Sequence, residues 1–141
     1  MHPSPELEQL TRRMYDSISD ADPSVFEAYL SRARAGVIIG TASEEWWDDV
    51  DDALAAIRAQ MASAGGSVHV VAGDLRAFEH QDVGWVADRP HLRVGETDVE
   101  CRQTSVFVRE NGNWRLVQQH FSIGVPNEDA FGDDVAKLHI Y

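Results

Sequence analysis

Chemically suggestive residues are densest in Gly40–Asp52, GTASEEWWDDVDD, where two of the four tryptophans stand side by side among six acids. Paired carboxylates beside aromatic walls are raw material for acid–base chemistry. The spacing gives the aspartates a plainer role. Thr41 followed by Glu44 has the form of a capping box, and Ser43 is a competing cap, so a helix is expected from here to about Ala62. Ala64-Gly65-Gly66 would stop it. At about 100° per residue, Trp46, Val50, Ala53, Leu54, Ile57 and Met61 share one arc, and Trp47 closes its edge. Asp48, Asp49, Asp51 and Asp52 fall on the remaining surface. They read as a solvated face near the positive end of a helix. The tryptophans keep more interest, because a large aromatic at the rim of a core can wall a pocket. Of the two, Trp47 is expected to face it.

Other reactive types are sparse. Six histidines are scattered without His-x-His or His-x3-His spacing, so no metal site is predicted. Cys101 is the single cysteine, which rules out an internal disulfide and reads as a buried strand thiol. One free thiol suits a reducing compartment. Glycine-rich phosphate loops are absent, and no cofactor is implied. The charge is acidic, 24 Asp and Glu against 12 Lys and Arg, for a formal net charge of -12. Arg12-Arg13 is the only adjacent basic pair, too little for a nucleic-acid or anionic-membrane surface. The first residues, MHPSPELEQL, do not have the form of a signal peptide, and no apolar run nears the roughly 20 residues of a membrane span. A cytoplasmic location is the expectation.

The elements that must position these residues follow from periodicity. The 141 residues suit one compact domain, 1–141, with a core of about 7–129 and a tail of 130–141. Residues 4–20 read as a helix, with Ser4 as cap, Pro5 at its first position, and a stripe of Leu7, Leu10, Met14 and Ile18. Tyr15 lies on the shoulder of that stripe. Asp22-Pro23 opens a second helix, with Val25, Phe26, Tyr29 and Leu30 on its apolar side. Gly36–Gly40 is a short buried strand. From Ser67 the period changes to two. Val68–Glu79, Val83–Val94, Val99–Arg109 and Trp114–Val125 read as four long antiparallel strands, the last pair joined across Asn111-Gly112. Helices first and strands second is the α+β pattern.

This order, together with VIIGTASEEWW, FEHQDVGWVAD and RQTSVFVRENGNWRLVQQHFSIGVPNED, resembles the SnoaL-like branch of the nuclear transport factor 2-like superfamily. The last strand, WRLVQQHFSIG, is also similar to the association domain of calcium/calmodulin-dependent kinase II. The resemblance covers nearly the whole chain, from about Leu7 to Asp129. It implies a cone, in which a curved sheet encloses an apolar pocket against the helices, and a homodimer formed through the sheet's outer face. It does not select among isomerases, cyclases, dehydratases, small-molecule binders and oligomerisation modules.

The isomerases of this superfamily use a carboxylate base with an oxyanion hole of a tyrosine and a protonated acid. Tyr15 matches the tyrosine's place approximately. The base's place reads Ile39-Gly40-Thr41, and the acid's place reads Gln103-Thr104-Ser105, so neither carboxylate is present. The cyclases use an acid with a histidine or glutamine, for which His120, His69 and Glu79 are candidates, Glu79 being expected in solvent near its turn. The resemblance thus leaves Tyr15 and His120 as weak catalytic candidates. As a binding site, the pocket would have Tyr15, Trp46, Trp47, Trp85 and Phe121 as walls and Gln103 or Gln119 as polar anchors, suited to a small apolar or aromatic molecule. The register of the last hairpin stays open. A two-residue turn pairs Ser105 with Gln118 and Gln103 with His120. A bulged three-residue loop pairs Gln103 with Gln119 and Cys101 with Phe121, turning Gln119 and Phe121 inward.

Overall fold

The computed structural model describes residues 1–33 and 36–138. A two-residue strand, β1 (His2–Pro3), precedes helix α1 (Pro5–Ser19). Ser4 caps α1, its hydroxyl accepting from the Leu7 N–H at 3.3 Å. Helix α2 (Ser24–Tyr29) follows, and the Asp22 carboxylate accepts from the Ser24 N–H at 3.0 Å. Leu7, Leu10 and Met14 of α1 and Phe26 of α2 are buried in one core, which the sheet covers with Val86, Phe107 and Leu116.

The segment after α2 departs from expectation. Strand β2 (Val37–Ile39) turns back through residues 40–45 into β3 (Trp46–Trp47), with Ile38 opposite Trp47 and Ile39 opposite Trp46. The third helix, α3, therefore starts later, at Val50–Ala64. Its cap is Asp49, whose carboxylate accepts from the N–H groups of Asp51 and Asp52 at 2.9 and 3.0 Å. Thr41 and Ser43 cap nothing. Pairing with the buried strand β2 holds the tryptophans extended, which outweighs the local capping signal. Gly65, left-handed at φ 56°, ends α3 where the glycines predict.

The meander has the expected order, but each of its first two long strands is broken in the middle. These pieces are β4 (Val68–Val71) with β5 (Arg76–His80), and β6 (Val83–Asp88) with β7 (His91–Val94). The long strand β8 (Thr97–Glu110) bridges the break, pairing with β7 and then with β6. Strand β9 (Asn113–Ile123) lies on its other side and pairs with β2 in parallel. The main sheet runs β1-β5-β6-β8-β9-β2-β3, with β4 reached through β7, and it curves without closing. A short helix, α4 (Asn127–Phe131), and a 3-10 turn (Gly132–Leu138) finish the described chain.

The last hairpin matches neither expected pairing. Its turn is the two-residue Asn111-Gly112, both at positive φ, and Glu110 faces Asn113. The register then slips at Val117, so Phe107 pairs with Leu116 but Val106 pairs with Gln118. Beyond that bulge Ser105 faces Gln119 and Gln103 faces Phe121. One extra residue exchanges the faces of the strand. Trp114 and Leu116 point inward before it, and Gln119 does so after it.

The two capping assignments for α3 give different stabilities on mutation. Asp49→Ala should cost about 1 kcal/mol in a urea melt. Thr41→Ala and Ser43→Ala should each stay within about 0.5 kcal/mol of the parent, as exposed positions without a cap role do.

Candidate functional site

Between the helices and the concave face of the sheet lies a cavity of about 370 Å³. Its buried wall is Phe26, Ile38, Met61 and Val70, with Gln119 as the one buried polar side chain. Trp47, Ile57, Leu92 and Phe121 line it at intermediate depth. Glu45 is half-buried like these, and Thr41 and Gln60 are the exposed members of the lining. A mostly apolar cleft with a few placed polar groups is the usual form of a small-molecule site.

Behind the wall runs a buried polar row. Gln119 Nε2 donates to Ser105 Oγ across 3.5 Å, and Gln103 Nε2 donates to the same oxygen. Gln103 Oε1 is buried without a partner. Opposite Gln103 stands Asp88, 6% exposed. Its carboxylate accepts from the Tyr15 hydroxyl at 3.0 Å, the Gly73 N–H at 3.2 Å and the Arg89 N–H at 2.8 Å. Burial pushes the Tyr15 phenol well above its ordinary range, and the Asp88 charge pushes it further. Tyr15 also packs edge-on against Phe121, with centroids 6.2 Å apart.

The structure divides the sequence candidates. Trp47, Gln119 and Phe121 line the cavity. Tyr15 and Gln103 are buried behind it and are not on its surface. Trp46, the neighbour of Trp47 on a two-residue strand, points the other way and is 60% exposed. Trp85 alternates with the buried Gly84 and Val86, so it sits on the convex face, stacked on Phe78 at 4.9 Å. His120 alternates with Gln119 and Phe121, which removes it from the cavity wall. His69 is exposed beside the inward Val70. Glu79 is not simply solvated, since it accepts from Ser4 Oγ and lies 3.6 Å from Arg109 Nη2. These contacts lower its pKa, the serine bond most. Cys101 is buried, and burial raises its pKa. Among the described residues no group of three His, Cys, Asp or Glu is placed to hold a metal ion, and no helix is long and apolar enough to cross a membrane.

Asp88 and Glu45 are the charged residues that sequence reasoning passed over. Asp88 precedes Arg89-Pro90, a break in an otherwise continuous β run, and that break was the available signal. Glu45 had none, because its stretch read as the start of a helix.

The SnoaL-like domain model matches residues 7–126 of the chain. The chain belongs to the SnoaL-like family. This SnoaL-like chain also shares its fold with solved structures of low sequence identity. One is an NTF2-like protein of unknown function from Pseudomonas putida, 18% identical, with 83% of each chain covered and a TM-score of 0.75. Another is an uncharacterised protein with a cystatin-like fold from Caulobacter vibrioides, 15% identical, covering 93% of this chain and 95% of that one, with a TM-score of 0.73. A third is a proposed dehydratase of the NTF2-like family from Streptomyces avermitilis, 16% identical, covering 85% and 94%, with a TM-score of 0.72. No match was found among functionally curated proteins.

In this SnoaL-like domain the Tyr15–Asp88 bond should be measurable as stability. Tyr15→Phe is expected to cost about 1.5–3 kcal/mol near neutral pH, the range for a hydrogen bond to a charged group. Because the folded-state phenol titrates above its unfolded value, the native chain holds the proton that the unfolded chain loses above about pH 10. Stability present below that pH is therefore lost as pH rises. Urea melts from about pH 8 to pH 11 should show a steeper alkaline decline for the parent than for Tyr15→Phe. Parallel curves would contradict the assignment.

Proposed function

We propose that this SnoaL-like domain binds a small, mostly apolar molecule in the cavity between the helices and the sheet. The observation that carries this is the half-open cleft of about 370 Å³, apolar except at Gln119 and at its outer side. The Gln119 amide spends one donor on a long, weak bond to Ser105. That leaves amide capacity for a hydroxyl or carbonyl of a ligand. Trp47 and Phe121 supply aromatic walls for a ring system. Acid–base turnover through Tyr15 is less well supported, because its hydroxyl is committed to Asp88 and lies behind the wall. His120 is likewise off the wall.

A thermal-shift series tests the binding. A neutral two-ring probe, 2-naphthalenemethanol, should raise the melting temperature with increasing concentration, since a ligand that binds only the folded state stabilises it. Ala64→Phe, which puts a ring into the cavity from the end of α3, should abolish the rise while the protein stays folded. No rise with this probe or with steroid-like probes would contradict the reading.

We also propose that two copies associate through the convex face. The support is an apolar row on that face, with Phe78 opposite Trp85 and Trp85 opposite Val106. Trp85 is 39% exposed. Sedimentation should show a dimer at micromolar concentration, and Trp85→Asp should leave a folded monomer. A parent chain that sediments as a monomer would end this proposal.

A further inference from the structure

Among the described residues that line the cavity, Glu45 carries the one ionisable side chain. Its position is built. The Gly40 N–H donates to the Glu45 carbonyl at 2.9 Å, closing the 40–45 turn, and the side chain folds back over Gly40. A Cβ on residue 40 would stand 2.8 Å from the Glu45 carboxyl, so glycine there is what leaves the carboxylate its place. The carboxylate accepts from the Ala42 N–H at 2.9 Å and from Gln60 Nε2. Both donors are neutral. No cation among the described residues pairs with the Glu45 carboxylate, whose hydrogen bonds are those to Ala42 and Gln60. Two carboxylate oxygens offer about four acceptor sites, so acceptor capacity remains toward the cavity.

We infer that Glu45 gives the cavity a preference for apolar ligands that carry an ammonium or other cationic group, and disfavours carboxylic acids. The inference rests on the binding proposed above and names its ligand class. Rings would lie against Trp47, Phe121 and Met61, with the cation at Glu45. An unneutralised carboxylate beside a low-dielectric wall attracts a cation more strongly than it would in bulk water. The net charge of -12 acts in the same direction at long range, raising the local concentration of cations and depleting anions. If Glu45 served only to lock the turn, a glutamine would serve as well, because its amide oxygen can still accept from Ala42.

Three probes with one ring system separate these cases: 2-naphthylmethylammonium, 2-naphthalenemethanol and 2-naphthoate, titrated calorimetrically at low salt. The ammonium should bind about fivefold tighter than the alcohol, the scale of a partly solvated ion pair, and the naphthoate should bind most weakly. Glu45→Gln should bring the ammonium down to the alcohol's affinity and leave the alcohol within about twofold of the parent. Gly40→Ala, which pushes the carboxylate off its site, should reduce the ammonium preference in a background that retains the charge. The inference is overturned if the alcohol binds but the ammonium or naphthoate binds equally well. It is also overturned if the ammonium preference survives Glu45→Gln, which would assign it to the overall charge. Silence from all three probes removes the binding proposal itself, and this inference with it.

Discussion

The Asp88 carboxylate holds the shape on which the rest depends. It sits at the end of β6, where the strand breaks before Arg89-Pro90, and it accepts from the Gly73 N–H on the neighbouring broken strand. Gly73 is required there, because a Cβ would stand 2.0 Å from the Arg89 carbonyl oxygen. The Tyr15 hydroxyl joins helix α1 to the same carboxylate. Three donors from three segments thus meet at the crease of the sheet. A buried carboxylate is costly unless its oxygens are satisfied, and here the satisfaction itself fixes the bend. The bend separates the β4–β7 flap from the main sheet and brings Val70 and Leu92 round to the cavity.

A second constraint acts on the far wall. The bulge at Val117 allows β9 to present Trp114 and Leu116 to the core at one end and Gln119 and Phe121 to the cavity at the other. A regular strand would have put Gln118 and His120 there instead. The bulge therefore decides that β9 gives the cavity one amide and a phenyl ring in place of an amide and an imidazole. The hairpin of β2 and β3 adds Trp47 and the Glu45 carboxylate from the other side. Apart from the Gln119 amide the cavity is apolar where it is buried, and the one charge among its described lining residues lies where water has access, which lowers the desolvation cost.

Local signals were legible in the sequence, and tertiary ones were not. Ser4-Pro5 and the stripe of α1 specify that helix through neighbours along the chain, as Asn111-Gly112 specifies its turn. The family resemblance, carried by motifs along nearly the whole chain, made the fold legible. Trp46-Trp47 misled because strand pairing with Ile38-Ile39 competes with an intact capping pattern, and the pairing partner is set by the sheet. Trp85 follows a glycine and is aromatic, yet its face depends on register with β5 and β8. Trp47 and Phe121 were named as candidate walls and Gln119 as a candidate polar anchor; the choice of Gln119 and Phe121 over Gln118 and His120 needed the bulge, which no residue type announces. Asp88 was missed because its partners come from residues 15 and 73, and Glu45 because its carboxylate reaches the cavity only through the 40–45 turn.

The central claim is that the cleft shaped by this crease and bulge is a ligand site. Backbone amide and methyl NMR of the full chain, titrated with 2-naphthalenemethanol, tests it most directly. The account predicts the largest shifts at Ile38, Met61, Val70, Leu92 and Gln119, with Val83, Trp85 and Val106 on the convex face undisturbed. Shifts concentrated on that convex face, or none at saturating probe, would contradict it.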